Sequence, residues 1–171
     1  MNQNVKCTVA QIIDAQNGYG AAAVYPLRDD MKVLGNARTV WTAAGNVGYF
    51  DELLARIRPG DVVVIDAQGE TNAASFETEH IGDLKAAGAA GVVVFGSVTT
   101  HSDDAFPLFA KSVHPHIGSR DGQYYIGRPV AVDGAPVCEG DLVYGTGDGI
   151  AFVEQENVSE VLNLMKGNAL T

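Results

Sequence analysis

Two apolar runs on either side of one helical segment constrain the fold more than any other feature of this sequence. The runs are Val62–Asp66 and Gly91–Gly96, and each has the length and composition of a buried strand. Between them, residues 73–87 predict a helix that ends at Gly88. Strand, helix and strand in this order favour parallel pairing of the two strands. Polar loops follow both runs, so we expect a ligand site where the carboxyl ends of these strands meet.

The first third of the chain adds two helices and a strand to this unit. Apolar residues at helical spacing predict an opening helix over 8–17, capped by Thr8 and ended by Gly18. The same spacing predicts a helix over 49–57. Residues 33–41 have the composition of a strand that is interrupted by a glycine.

Beyond Pro107 the sequence consists of short apolar segments. They are separated by Asp133-Gly134 and by Gly147–Gly149, which are typical of hairpin turns. Residues 157–166 predict a closing helix, because apolar side chains recur on one face. Together these patterns predict one mixed α/β domain over 1–171.

Composition and charge exclude several classes of function. A chain of 171 residues with 46% hydrophobic residues can bury the core of a single domain. Its formal net charge of −10 makes nucleic acid and an anionic membrane surface poor partners. The two cysteines form no Cys-x-x-Cys pair, and the sequence shows neither a signal peptide nor a long apolar span. We therefore predict a cytoplasmic protein with no membrane and no nucleic-acid partner.

Four motifs occur in the order found in one known family. They are Gly35-x-Ala37-x-Thr39-Val40, Pro59-Gly60-Asp61, Gly88-x-x-Gly91 and Gly140-Asp141-Leu142-Val143, the last followed by Asp148-Gly149-Ile150. Together they resemble the RraA-like family, which includes the regulator of ribonuclease activity A and the class II 4-hydroxy-4-methyl-2-oxoglutarate aldolases. The resemblance covers about residues 8–155. It implies a β/β/α swivelling-type domain that assembles as a homotrimer, with pockets at the subunit boundaries.

The chain departs from this family where the resemblance places the chemistry. In aldolase members the strand equivalent to residues 92–95 is followed by Gly-x-x-Arg-Asp, whose aspartate holds a divalent metal and whose arginine binds the pyruvoyl end of the substrate. Those two positions read Thr99 and Thr100 here, and Glu77 stands where the family usually has glycine. A neutral hydroxyl is a weak ligand for a hard cation such as Mg²⁺ or Mn²⁺, and threonine cannot grip a carboxylate with two donors. We therefore expect a rebuilt pocket.

Polar residues around the lost pair are the candidates for this pocket. The catalytic candidates are Thr99, Thr100, His101 and Glu77. The candidates for substrate binding are Asn72, Ser75 and Thr78, expected at the anion-attracting N-terminus of the third helix, and Arg120.

Three further features have two interpretations each. Asp103 and Asp104, with His101 and Glu77 or Glu79, form a candidate metal site, but such clusters are often solvated turns or caps. His114-Pro115-His116 suits acid–base chemistry or a structural loop. Arg120 and Arg128 are possible anion anchors, but Asp121 adjoins Arg120, and this suits a surface ion pair or a subunit contact.

Three functional hypotheses follow from the sequence. The first is a divergent enzyme that acts on a small carboxylate or 2-oxo acid in an intersubunit pocket, with carbon–carbon lyase chemistry of the aldolase or decarboxylase type. The second is a non-catalytic regulator whose acidic surface binds a protein partner. The third is a scaffold subunit with a vestigial pocket.

Overall fold

The computed structural model describes residues 7–15, 19–21, 23–102 and 104–169. Its helices are α1 (Val9–Ala15), α2 (Phe50–Leu54), α3 (Ile81–Ala86) and α4 (Val158–Ala169), with short 3₁₀ turns at Thr78–His80 and Gln155–Asn157. Its strands are β1 (Tyr19–Ala21), β2 (Tyr25–Pro26), β3 (Val33–Thr42), β4 (Asp61–Phe76), β5 (Gly91–Val98), β6 (Leu108–Val113), β7 (Tyr124–Ile126), β8 (Val130–Val132), β9 (Ala135–Val137), β10 (Leu142–Thr146) and β11 (Gly149–Val153). None of the described helices is long and apolar enough to cross a membrane.

One large mixed sheet organises the described residues. Its strand order is β1-β11-β10-β3-β4-β5-β6-β2, and β7 adds to the edge of β3. Strands β3, β4, β5 and β6 are parallel, as expected for a strand–helix–strand unit. Val62–Ile65 in β4 and Val92–Val94 in β5 are completely buried, which explains why each run is continuously hydrophobic in sequence.

The glycine that interrupts β3 permits close packing of the chain. A Cβ atom at Gly35 would lie 2.3 Å from the carbonyl oxygen of Gly60, a distance that real Cβ contacts do not reach. Gly60 itself belongs to the turn that opens β4, with φ of 87°, which favours glycine. The predicted strand over 33–41 is confirmed, and its glycine marks this contact.

The predicted helix over 73–87 is wrong in its first half. The chain stays extended through Phe76, where Ala74 and Phe76 pair with β5 across a series of register shifts. The Ala74 N–H also donates to the His116 carbonyl at 2.7 Å, a bond that a helix would use internally. Tertiary pairing thus overrides the helical propensity of this alanine-rich segment, and the helix begins at Ile81.

Most of the other predicted elements are confirmed. Helix α1 begins after Thr8, whose Oγ1 accepts the Gln11 N–H at 3.1 Å while Gln11 Oε1 accepts the Thr8 N–H at 2.9 Å, a capping box. The predicted stop at Gly18 lies outside the described residues. Both hairpins, β8–β9 and β10–β11, form. The helix over 49–57 is shorter than predicted, and the closing helix α4 buries Val161 and Met165 in a second small core.

Candidate functional site

The candidate site lies where β4 and β5 end, as the parallel pairing predicts. We call the group formed by Glu77, Thr78, Thr99, Thr100 and Arg120 the strand-end site. The first two residues directly follow β4, the threonines at 99 and 100 directly follow β5, and the arginine comes from the loop before β7. The fold therefore gathers residues that are more than 40 positions apart in sequence.

Two hydroxyl groups of the strand-end site form a hydrogen-bond network between the segments that follow β4 and β5. Thr99 Oγ1 accepts the Thr78 N–H at 3.0 Å and donates to Glu79 Oε1 at 3.3 Å. Thr78 Oγ1 donates to the Thr100 carbonyl at 2.8 Å. Thr99 and Thr78 are 8% and 7% exposed. These two buried hydroxyl groups therefore tie the segment after β4 to the end of β5.

Glu77 and Arg120 form a bidentate ion pair within the strand-end site. Nη1 donates to Oε1 and Nη2 to Oε2, each at 2.9 Å. The glutamate side chain is 13% exposed, whereas the arginine side chain is 66% exposed. The hydrogen bonds from Arg120 are the main cause that lowers the pKa of Glu77, and His80 adds a smaller effect. The acid is therefore ionised in the unliganded site.

The loop that carries Arg120 is held by a buried amide. Asn46 is fully buried, and its Nδ2 donates to Thr42 Oγ1 and to the Gly122 carbonyl at 3.0 and 3.1 Å. Its Oδ1 accepts the N–H groups of Gly48 and Gly122. A Cβ atom at Gly48 would lie 2.0 Å from the Arg120 carbonyl oxygen. The loop therefore approaches this backbone so closely that only glycine fits.

The structure separates several predicted residues from the strand-end site. Ser75 and Asn72 lie in β4 rather than at a helix N-terminus, so their predicted placement at the third helix is wrong, and their assignment to substrate binding stays a prediction. The Ser75 hydroxyl accepts the Gly45 N–H at 2.9 Å in the buried interior. His101 is exposed and forms no hydrogen bond or ion pair with any described residue.

The acidic cluster after β5 forms a capped turn in its described part. Asp104 pairs with Lys85 Nζ at 3.0 Å and accepts the Phe106 N–H at 2.8 Å. The bond from Phe106, and then those from Lys85, lower the pKa of Asp104. Asp103 lies outside the described residues. The assignment of these two aspartates as metal ligands stays a prediction.

Two other predicted features have local partners. Arg120 pairs with Glu77 and not with Asp121, whose carboxylate accepts the Ser119 hydroxyl. Arg128 stacks on the Tyr125 ring at 3.9 Å, so its guanidinium belongs to an aromatic cluster on β7.

The divalent cation that the family resemblance implies does not fit the described residues. Among residues 7–15, 19–21, 23–102 and 104–169, no group of three or more His, Cys, Asp or Glu side chains is arranged to hold a metal ion. Both oxygens of Glu77 are bound to Arg120, and the Thr99 hydroxyl is engaged on both sides. Hard cations require several free oxygen ligands, and the described residues of the strand-end site do not offer them.

A second cleft lies at the opposite end of the sheet, where β4 begins. It has a volume of about 590 Å³ and is lined by Arg38, Arg58, Asp61 and Glu139 among others. Arg38 donates to Asp61 at 3.0 Å and to Glu139 at 2.5 Å. This cleft lies at the amino ends of the parallel strands, whereas α/β folds bind ligands at the carboxyl ends, where the strand-end site lies.

Comparison with known proteins identifies the family. The family model described as RraA-like, Aldolase/RraA, matches residues 9–152. This chain belongs to the RraA-like family. A protein of Halalkalibacterium halodurans named "Putative 4-hydroxy-4-methyl-2-oxoglutarate aldolase" is 31% identical over 160 residues, which cover 91% of this chain and 76% of that protein. The family resemblance inferred from the four motifs is confirmed.

Solved structures establish the fold of this RraA-like chain. The RNA-processing inhibitor RraA from Thermus thermophilus matches with a TM-score of 0.77 at 20% identity, over 86% of this chain and 93% of that one. Streptomyces coelicolor RraAS2, titled an unusual member of the RNase ES inhibitor family, matches with a TM-score of 0.75 at 24% identity, over 85% and 78%. The predicted α/β fold class is confirmed.

The sequence patterns did not predict two residues that shape this RraA-like site. Asn46 holds the Arg120 loop, and His80 contacts Glu77. The position of Asn46 between two glycines, Gly45 and Gly48, is a signal for a polar residue in a tight loop. His80 lies three residues after Glu77, a spacing that a 3₁₀ turn brings onto one side.

Proposed function

We propose that this RraA-like protein is a carbon–carbon lyase for small 2-oxo acids that uses Arg120 to bind the substrate carboxylate and Glu77 to accept a proton. The bidentate Glu77–Arg120 pair carries the proposal. It supplies a guanidinium and a carboxylate beside Thr99 and Thr100, where aldolases of the family have Arg-Asp. The aldolase relative supports the same reaction class.

A substrate carboxylate can replace Glu77 as the partner of Arg120. Both groups are planar pairs of acceptor oxygens that match the guanidinium fork. The arginine side chain is the exposed member of the pair, so an incoming anion reaches it from solvent. The acidic surface makes such an exchange selective for substrates with few charges, because the net charge of −10 repels polyanions.

This exchange prepares Glu77 for proton transfer. Arg120 is the first cause of the lowered pKa of Glu77, so its transfer to the substrate raises the proton affinity of the carboxylate. A base that gains basicity only when substrate is bound suits general base catalysis. The free site keeps the acid ionised, and the complex makes it reactive.

In the proposed reaction Glu77 accepts one proton from the substrate and returns it to the product. For a 4-hydroxy-2-oxo acid, Glu77 takes the proton of the 4-hydroxyl, the C3–C4 bond breaks, and its electron pair forms the enolate of the 2-oxo acid product. The former C4 leaves as a carbonyl. Arg120 hydrogen bonds stabilise the developing negative charge, and Glu77 returns its proton to C3 of the enolate.

The test measures pyruvate release from 4-hydroxy-4-methyl-2-oxoglutarate and from oxaloacetate with a coupled lactate dehydrogenase assay. Loss of a charge-assisted bidentate contact in Arg120→Gln should lower kcat/KM on the order of 30- to 100-fold, mainly through KM. Glu77→Gln should lower kcat instead. Arg56→Gln is the matched control, because Arg56 forms a comparable exposed pair with Glu52 at 2.8 Å.

Binding supplies a second measurement that does not depend on turnover. Oxalate or pyruvate should raise the melting temperature of the wild type, because a ligand that binds the folded state stabilises it. Arg120→Gln should lose this response and Arg56→Gln should keep it. A wild type that neither binds nor cleaves any of these acids refutes the proposal and directs the search to a protein partner or a vestigial pocket.

A further inference from the structure

His80 is held between two carboxylates and an aromatic ring beside the strand-end site. Its Nε2 lies 3.5 Å from Glu77 Oε1, and its Nδ1 lies 3.6 Å from Asp83 Oδ2. The imidazole stacks on Phe50 with ring centroids 3.9 Å apart and planes 14° from parallel. Phe50 is buried in the core, so the stack fixes the plane in which the two nitrogens lie.

This arrangement places a carboxylate oxygen opposite each nitrogen of the ring. A neutral imidazole has one N–H donor and one lone pair, whereas the imidazolium donates from both nitrogens. A carboxylate oxygen faces each nitrogen here, so only the imidazolium offers a donor to both. The charged groups facing the ring are Glu77 and Asp83, with Arg120 beyond the glutamate, and α2 contributes the apolar Phe50.

Glu77 therefore has two cationic partners of different character. Arg120 has a side chain 66% exposed and, in the proposed reaction, leaves Glu77 for the substrate. The His80 side chain is 32% exposed, and its stack on Phe50 keeps it in place. Asp83, at 62% exposure, holds its other nitrogen from the solvent side.

We propose that His80 is a positioning residue whose imidazolium holds the Glu77 carboxylate in place once the substrate has taken Arg120. Without it, Glu77 would lose its remaining charged partner at the moment when it must meet the substrate hydroxyl. Misplacement of a catalytic group by about 1 Å is enough to slow a reaction about 100-fold. This inference rests on the proposed function and adds the element that keeps its base oriented.

Two substitutions distinguish the contribution of the His80 nitrogens from that of its aromatic ring. His80→Phe keeps an aromatic ring on Phe50 but removes both donors, and His80→Gln keeps a neutral donor that does not titrate. We expect His80→Phe to lower kcat about 10- to 100-fold, as for loss of a hydrogen bond to a charged group. KM should change less than about twofold, because Arg120 is intact. Arg56→Gln is again the control, since it removes a cation from an exposed ion pair outside the strand-end site.

Rescue by the conservative variant gives a readout that a purely structural role of the ring would not move. His80→Gln should keep more of the wild-type kcat than His80→Phe, because its side-chain amide can still donate a hydrogen bond to Glu77, and an equal loss in both variants would count against the assignment. Asp83→Asn should lower kcat in the same direction by a smaller factor. Thermal melting checks the fold, and His80→Gln decides the matter if His80→Phe melts early.

The outcomes separate this inference from the proposed function. If Arg120→Gln loses activity while both His80 variants keep wild-type kcat, the role of His80 is refuted and the lyase function stands. If the wild type cleaves none of the 2-oxo acids, both are refuted. Loss of kcat in His80→Phe, its partial recovery in His80→Gln and a preserved KM together support the assignment.

Discussion

Replacement of Thr99 by valine tests whether the hydroxyl network holds the strand-end site together. Valine keeps the branched shape of the side chain but removes the acceptor for the Thr78 N–H, which lies at 3.0 Å in a buried setting. An orphaned buried N–H costs about 1–3 kcal/mol. The second bond, to Glu79 at 3.3 Å, adds little, because Glu79 is exposed and can bind water instead.

The expected net loss for Thr99→Val is about 2 kcal/mol of the free energy of unfolding. For a chain of this size such a loss lowers the melting temperature by roughly 4–8 °C. Urea unfolding and thermal melting, each at one fixed protein concentration, measure both quantities. Thr99→Ser should recover most of the loss, because the serine hydroxyl can still accept the Thr78 N–H.

Thr100→Val is the matched control for this experiment. Thr100 is the next residue, its side chain is exposed, and its hydroxyl forms no hydrogen bond within the described residues. We expect a change of less than about 0.5 kcal/mol. If Thr99→Val is as stable as Thr100→Val, the network does not hold the segment after β4 against β5, and the reasoning about the site's rigidity fails.

Two further predictions concern the charged pairs. Arg120 lowers the pKa of Glu77 in the folded protein below its ordinary value of 4.5. The ion pair therefore stabilises the folded state at pH values above 4.5, and this stabilisation is lost as the pH falls through the lowered pKa of the folded state. In urea unfolding at a series of pH values, Glu77→Gln should lose less stability on acidification than the wild type. Arg38→Met should cost about 2–3 kcal/mol of the free energy of unfolding in the same assay, because it removes charge-assisted hydrogen bonds from the partly buried carboxylates of Asp61 and Glu139, and a value below about 1 kcal/mol would contradict this.

The sequence predicted the strands that form the site better than the contacts between its residues. Continuous apolar runs identified the first part of β4 and most of β5, and the order of these strands placed Thr99 and Thr100 at the carboxyl edge of the sheet, whereas residue 77 was expected within the third helix. Helical propensity over 73–87 misled, because Ala74 and Phe76 pair with β5. Local composition carries no information about such a partner strand.

The sequence by itself determined the α/β class and the family, since these depend on residue types in a fixed order. Only the tertiary structure decided that Glu77 meets Arg120 across 43 positions and that His80 stacks on Phe50. Arg120 has Asp121 as its sequence neighbour, yet it pairs with Glu77. The loop that carries Arg120 is held by the hydrogen bonds between Asn46 and Gly122 and by the close contact at Gly48. Pairings between distant residues arise from backbone packing, and one-dimensional spacing does not encode them.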